Sequence, residues 1–494
     1  MKYSFAVLNT KIKKHAKSKT TIKYGSSSLV LLSLAACGGG NSGQNPAPGN
    51  NTPAPPSPSQ MTNFTETATN VFNGTNGTFV FLDSTSDLTV TETNGGRIET
   101  GFGDDVINNG PGGSVVRGGA GADNMVGGSG IDVLDYSDAF AGGIRYSSTS
   151  AININLTNGT ASGGDAEGDQ FSGFEYVWGT NFNDIIIGDG NDNELQGRDG
   201  DDQLSGLGGN DEIHGSDGND NIIGGEGNDI ISGGLGTDVL DGGLGTDIIF
   251  FGHLHGLFFG QNVSYNAYAD GSSAGVTVNL ETGMAGRGGS DTDTISGFEI
   301  FYMSDNNDTF IGSAGADVAY GLEGNDNLSG RDGGDFLYGG EEDDILNGGA
   351  DQDLLNGGAG DDIFLAYQAD GSQQDTFAGG ADNDTLAFIS SSLVTPFAID
   401  LSTVDITNIE SINLDYIQAQ DLVENLTLTV QDILDVTDGD NRLLIEGGSE
   451  DTVTSIGQGW VQGADQVIDG VTYNSYTSGV GSLLVDEDFT QTIS

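Results

Sequence analysis

Gly179 to Phe250 reads GTNFNDIII, GDGNDNELQ, GRDGDDQLS, GLGGNDEIH, GSDGNDNII, GGEGNDIIS, GGLGTDVLD and GGLGTDIIF: eight nonapeptides in 72 residues, with no insertion. Each has glycine early, aspartate or its amide at position six and an apolar residue at position eight. Positions one to six suit a turn, because glycine supplies positive φ and lets a second backbone approach closely. Positions seven to nine suit a three-residue strand, whose alternation points position eight inward. The inward set is Ile186, Leu195, Leu204, Ile213, Ile222, Ile231, Leu240 and Ile249.

The period returns twice. Seven units run in phase from Met303 (MSDNNDTFI) to Leu365 (GGAGDDIFL), with Phe310, Ala319, Leu328, Leu337, Leu346, Leu355 and Phe364 at position eight. After a short slip, DGSQQDTFA and GGADNDTLA follow from Asp370. An earlier block, Thr100 to Asp135, holds two clean units (GGAGADNMV and GGSGIDVLD) and has Ser114 where another should carry aspartate. These units resemble the GGxGxDxUx nonapeptide of RTX, or hemolysin-type calcium-binding, proteins. The resemblance implies an all-β chain: a parallel β-roll or β-helix solenoid with strand-rich inserts and a small β-rich C-terminal region.

One apolar residue in nine makes a thin core, and burial of that core does not by itself offset the ordering of so many glycines. The aspartates indicate what else holds the turns. Stacking brings Asp184, Asp202, Asp220 and Asp238 toward one line and Asp211, Asp229 and Asp247 toward another. The third block splits the same way, Asp308, Asp326, Asp344 and Asp362 against Asp317, Asp335 and Asp353; Asp105, Asp123, Asp132, Asp375 and Asp384 hold the same position in the remaining units. Carboxylates at coil spacing repel unless a cation lies between them. Ca²⁺ accepts six to eight oxygens in flexible geometry, whereas Mg²⁺ demands a tight octahedron and keeps its waters. The resemblance implies several Ca²⁺ ions between successive turns, held by position-six aspartates and turn carbonyls. Asn193 replaces the aspartate in one unit and should weaken its site.

The net charge is −59, and seven of the 14 basic residues are lysines within the first 23 positions. Beyond them, seven arginines face all 73 acids. Such a chain lacks the basic footprint of a nucleic-acid binder. Its self-repulsion opposes compaction until counter-ions bind, so metal binding should be coupled to folding. One cysteine permits no internal disulfide. Cys37 closes Leu34-Ala35-Ala36-Cys37-Gly38 after a basic stretch and a short apolar run. That arrangement resembles a bacterial lipoprotein signal, which would lipidate Cys37 and provide the only membrane attachment. The apolar run is too short to span a bilayer. The end of the chain, Asp486 to Ser494, instead looks like a type I secretion signal. Both routes place the protein outside the cytoplasm, at the cell surface or in the extracellular space.

The organisation that follows is a leader (1–37), a Pro/Gly/Asn tether (38–60), an N-terminal cap (61–99), a first repeat block (100–135), a strand-rich insert (136–178), a second block (179–250), a second insert (251–302), a third block (303–387), a short insert (388–417) and a β-rich C-terminal region (418–494). Six of eight prolines fall in the tether, as expected for an extended spacer. The inserts repeat one another: Ser172-Gly173-Phe174-Glu175 matches Ser296-Gly297-Phe298-Glu299, 124 residues apart, and Ile406-Thr407-Asn408-Ile409-Glu410 is a shorter copy.

Catalytic signatures are weak. None of the four histidines, His15, His214, His253 and His255, lies in an HExxH motif. His214, at position nine, should face solvent, and His253 with His255 reads more simply as two incidental imidazoles than as a metal pair. Gly271-Ser272-Ser273-Ala274-Gly275 matches GxSxG, but no histidine follows it. The expectation is therefore no enzyme and no catalytic residue. It is an exported calcium-binding solenoid with a structural or adhesive role at a bacterial surface, facing a cell-surface or matrix partner. The alternative is a freely secreted type I substrate: a surface-layer subunit or an enzyme of another type.

Overall fold

The computed structural model describes residues 64–68, 71–74, 77–80, 87–137, 139–141, 144–146, 148–251, 253–255, 264–266, 274–288, 291–367, 375–389, 397–400, 405–414, 424–428, 441–449, 451–468 and 470–494, with isolated positions between 431 and 437. Cys37, the tether and the Ser272-Ser273 pair lie outside these residues, as do the side chains of His253 and His255.

Among the described residues the chain is mostly strands and turns, with a 3-10 turn at Gly164–Ala166 and helical positions at Gln431, Ile433 and Val436. Successive nonapeptides alternate between two long sheets of 26 and 15 strands, paired in parallel through the repeats, so two units make one coil. In the larger sheet Gln203–Gly208 pairs with Asn221–Glu226, which pairs with Val239–Leu244. In the other, Glu194–Asp199, Glu212–Asp217 and Ile230–Leu235 pair in turn. The register is the 18-residue coil: Leu204 meets Ile222 and Leu195 meets Ile213. Every position-eight residue of the second and third blocks is at most 2% exposed. The core is a double file of side chains, one from each sheet.

The strands are longer than the three residues expected. Gln203–Gly208 and its equivalents run from position seven to position three of the next unit, six residues in all. The coil one turn away is parallel and in phase, so its backbone keeps pairing after the chain has begun to bend. Leu207, inside such a strand, has φ 77°. Coil contact also explains the glycine at position four: a Cβ on Gly218 would overlap the Gly200 carbonyl of the coil before it.

Both large inserts continue the solenoid unequally. The smaller sheet gains one strand, Tyr176–Trp178 or Ile300–Tyr302, in parallel register. The larger sheet gains three. Gln170–Ser172, Thr160–Ser162 and Asn153–Asn155 form an antiparallel meander between Asn124–Val126 and Ile185–Ile187. Asp291–Ser296, Met284–Gly288 and Thr277–Asn279 repeat it between Val239–Leu244 and Thr309–Ile311. At the C-terminal side Arg442–Glu446 and Gly481–Asp486 extend the larger sheet, and Phe397–Asp400, Glu424–Thr427, Thr452–Ser455 and Thr490–Ile493 form a parallel four-stranded sheet.

Position nine of the smaller sheet carries side chains that meet in rows, one per coil. Phe250, Tyr302, Tyr320 and Tyr338 stack with centroids 4.5, 4.5 and 4.7 Å apart, the inter-strand spacing. Arg117 pairs with Asp135 at 2.8 Å in the first block. His214, expected in solvent, is only 4% exposed, with Nε2 3.1 Å from Glu212 Oε1. Gln196 and Ser232 flank it one coil to either side, which leaves its ring little free surface.

Candidate metal sites

The position-six aspartates form two ladders along the two edges of the solenoid. The Asp184 amide donates to Asp202 Oδ1, the Asp202 amide to Asp220 Oδ1 and the Asp220 amide to Asp238 Oδ1, at 2.7–2.8 Å. On the opposite edge the Asn193 amide donates to Asp211, Asp211 to Asp229 and Asp229 to Asp247, each at 2.8 Å. The third block repeats this through Asp308, Asp326, Asp344, Asp362 and Asp384, and through Asp317, Asp335, Asp353 and Asp375. In the first block Asp105 donates to Asp123, and Asp132 takes the Ser114 amide. The two lines of aspartates expected from the sequence are thus brought together, each carboxylate reaching back one coil. All except the half-buried Asp375 are at most 4% exposed.

One oxygen of each carboxylate is committed; the other separates the units into two kinds. Asp105, Asp123, Asp132, Asp202, Asp211, Asp220, Asp229, Asp247, Asp326, Asp335, Asp344, Asp353, Asp362 and Asp384 each keep a buried Oδ2 that meets no hydrogen-bond donor. That oxygen lies where the Cβ of the position-one residue would be: at Gly197, Gly206, Gly215, Gly321 and Gly339 a Cβ would overlap it. At Gly215 the same Cβ would also overlap the Gly233 carbonyl of the next coil. An unpartnered carboxylate oxygen and a carbonyl oxygen therefore lie close together in a buried space. Such a space is costly for a bare anion and well suited to a hard cation.

The first coil after each large insert differs. Asp184 Oδ2 accepts the Thr180 amide at 2.6 Å, and its Oδ1 accepts the Thr180 hydroxyl at 2.9 Å. Ser304 satisfies Asp308 in the same way, Ser313 satisfies Asp317, and Asn193 Oδ1 takes the Asp189 amide. These donors stand at position two and avoid positive φ. In the open units position two is left-handed, as at Arg198 (90°), Leu207 (77°), Ser216 (86°), Leu322 (88°) and Arg331 (80°). One backbone choice decides whether the position-two amide faces the carboxylate.

Burial sets the electrostatics. It pushes Asp202, Asp326, Asp344 and Asp384 up to about 8, with neighbouring ladder carboxylates adding to the rise. Asp211, Asp220, Asp353 and Asp362 rise to about 7 for the same first reason. Among the described residues no three His, Cys, Asp or Glu side chains converge on one point. An ion here needs carboxylates from two coils completed by backbone carbonyls, a donor set Ca²⁺ accepts.

Two sets of residues escaped the sequence reading. Position-five amides and carboxylates form an outer ladder of opposite sense: the Asn219 amide donates to Asp201 Oδ1 and the Thr237 amide to Asn219 Oδ1, at 2.8 and 3.0 Å. The run of Asn and Asp at position five was the available signal. Insert residues also take ladder places. The Asp123 and Asp238 amides donate to Asp169 and Asp293, and the Asp132, Asp247 and Asp384 amides to Glu175, Glu299 and Glu410.

A family model spanning four copies of the RTX calcium-binding nonapeptide repeat matches residues 99–134, 178–213, 214–249, 304–337, 329–364 and 370–387. No curated protein matches the chain. The matched segments are the three blocks whose ladders are described above, and calcium is the ion that such repeats bind.

Proposed function

We propose that this chain, which carries RTX calcium-binding nonapeptide repeats over residues 99–387, is an exported β-solenoid stiffened by calcium, with a structural or adhesive role at a bacterial surface and no catalytic activity. The observation that carries this reading is the run of buried carboxylate oxygens without donors along both edges of the coils. The open aspartates and turn carbonyls would hold the ions, whose chemistry here is charge neutralisation between adjacent coils. Because each site needs two coils, binding at one should favour winding of the next. The net charge of −59 keeps the chain expanded where calcium is scarce.

The lipoprotein-like leader ending at Cys37 and the proline-rich tether suit a solenoid held off a membrane at a cell surface, there to meet a surface or matrix partner. Release through type I export is the second route. Fractionation of cells expressing Cys37→Ala separates them: loss of membrane association supports the anchor, and unchanged distribution removes it. The test of the functional core is circular dichroism of the full chain at pH 8 during a calcium titration after exhaustive chelation. Strand signal should grow cooperatively with calcium. A chelated chain that is already fully ordered overturns the reading, and turnover in a broad hydrolase screen overturns its non-enzymatic part.

A further inference from the structure

The three insert glutamates occupy a turn that is short. A full unit places six residues between position nine of one strand and position seven of the next. Between Ser172 and Tyr176 there are only Gly173, Phe174 and Glu175, and the same holds for Gly297-Phe298-Glu299 and Asn408-Ile409-Glu410. The first residue of each turn is left-handed, with φ of 68°, 71° and 54°. The second is buried in the core, Phe174 4%, Phe298 9% and Ile409 0% exposed. The third, one methylene longer than aspartate, reaches back to the amide of the preceding ladder aspartate: Glu175 to Asp132 at 2.9 Å, Glu299 to Asp247 at 2.8 Å and Glu410 to Asp384 at 3.0 Å.

The carbonyl is conserved in place as well. A Cβ on Gly127 would overlap the Gly173 carbonyl, one on Gly242 the Gly297 carbonyl, and one on Gly379 the Asn408 carbonyl. In an interior coil Gly215 has the same relation to the Gly233 carbonyl. Asp132, Asp247 and Asp384 are each 0% exposed, and each has an Oδ2 without a donor. The short turn thus rebuilds the oxygen arrangement of a full repeat from different residues.

We infer that each junction is a calcium site made of Asp132 with Glu175 and the Gly173 carbonyl, Asp247 with Glu299 and the Gly297 carbonyl, or Asp384 with Glu410 and the Asn408 carbonyl. The inference rests on the reading of the repeats as calcium sites and extends it to residues outside the nonapeptide. It gives the x-Gly/Asn-Phe/Ile-Glu turn a purpose: the ladder crosses an insert without losing an ion.

The experiment compares calcium stoichiometry by isothermal titration for the full chain and its E175Q/E299Q/E410Q variant. Glutamine can still accept the aspartate amide but lacks the charge. The variant should bind one ion fewer for each substituted junction, and unchanged stoichiometry and affinity overturn the inference. Should the triple variant fail to fold, E175Q in a Trp460→Phe chain takes its place, with Tb³⁺ luminescence excited through Trp178, three residues from Glu175. Reduced sensitised emission supports the site, and unchanged emission refutes it. A parent chain that takes up no calcium would instead defeat the reading of the repeats themselves.

Discussion

The coil that follows an insert and the coils deeper in a block are built on the same nonapeptide, yet their turns end differently. In the first coil, Thr180, Asp189, Ser304 and Ser313 close the position-six side chain with their own backbone amides. Deeper in, left-handed residues such as Leu207 and Arg331 turn that amide away and leave a buried oxygen bare. A closed turn is complete as protein. On the proposed reading an open turn is completed by a cation, which would pair self-sufficient starts with ion-dependent interiors.

The largest expected effect separates the two kinds directly. Asp220→Ala with Asp229→Ala and Asp238→Ala should remove most of the calcium-induced strand signal from the second block. Each change also strands the amide of the previous coil, at about 1–3 kcal/mol. Asp184→Ala with Asp308→Ala and Asp317→Ala should leave calcium uptake close to that of the parent. Equal loss of bound calcium in the two triple variants, measured by titration calorimetry, would erase the distinction.

Acid should partly replace calcium. Burial raises the folded pKa of Asp202 and Asp344 to about 8 from an ordinary value of 3.8. A raised carboxylate means the folded state holds protons that the unfolded state gives up. The stabilisation is therefore fully present below about pH 4 and is lost as pH rises through 7 to 8. Calcium-free chain followed by circular dichroism should gain structure as pH falls from 8 to 5, and saturating calcium should flatten that dependence. Greater order at pH 8 than at pH 5 without calcium would mean that the open carboxylates are not bare.

Much of this was legible in the repeat. Position eight and the two lines of aspartates follow from the period alone, because stacking in phase leaves one inward direction and two edges. Strand length was not legible, since pairing across positions one to three depends on the neighbouring coil. Nor was the burial of His214, set by its row partners Gln196 and Ser232. The match between Glu175 and Glu299 was visible as text, but their hydrogen bonds to ladder amides were hidden because their turn is three residues shorter than that of a repeat. The choice between open and closed depends on one φ at position two, which Thr180 and Leu207 settle differently within a single block.

That choice can be reversed at Thr180. Thr180→Gly removes the hydroxyl that holds Asp184 Oδ1 and gives position two access to positive φ. The unit should open and accept an additional ion, while the calcium-free protein loses about 1 kcal/mol with the hydrogen bond. Denaturant melts with and without calcium would show opposite shifts. Destabilisation in both would mean that the hydroxyl serves only packing.

The smallest effect lies at Leu207, 45% exposed with φ 77°. A non-glycine residue held there costs roughly 1–2 kcal/mol in backbone strain. Leu207→Gly relieves that strain but enlarges the freedom of the unfolded chain, so the net gain should be a few tenths of a kcal/mol up to about 1 kcal/mol. The gain should be larger with calcium bound than without it, because only the open turn demands the left-handed conformation. The thermal midpoint of the chelated form at pH 5, compared with the calcium-loaded form, measures that difference. An equal rise in both would show that position two is left-handed whether or not an ion is present, and that the turn is set by coil stacking alone.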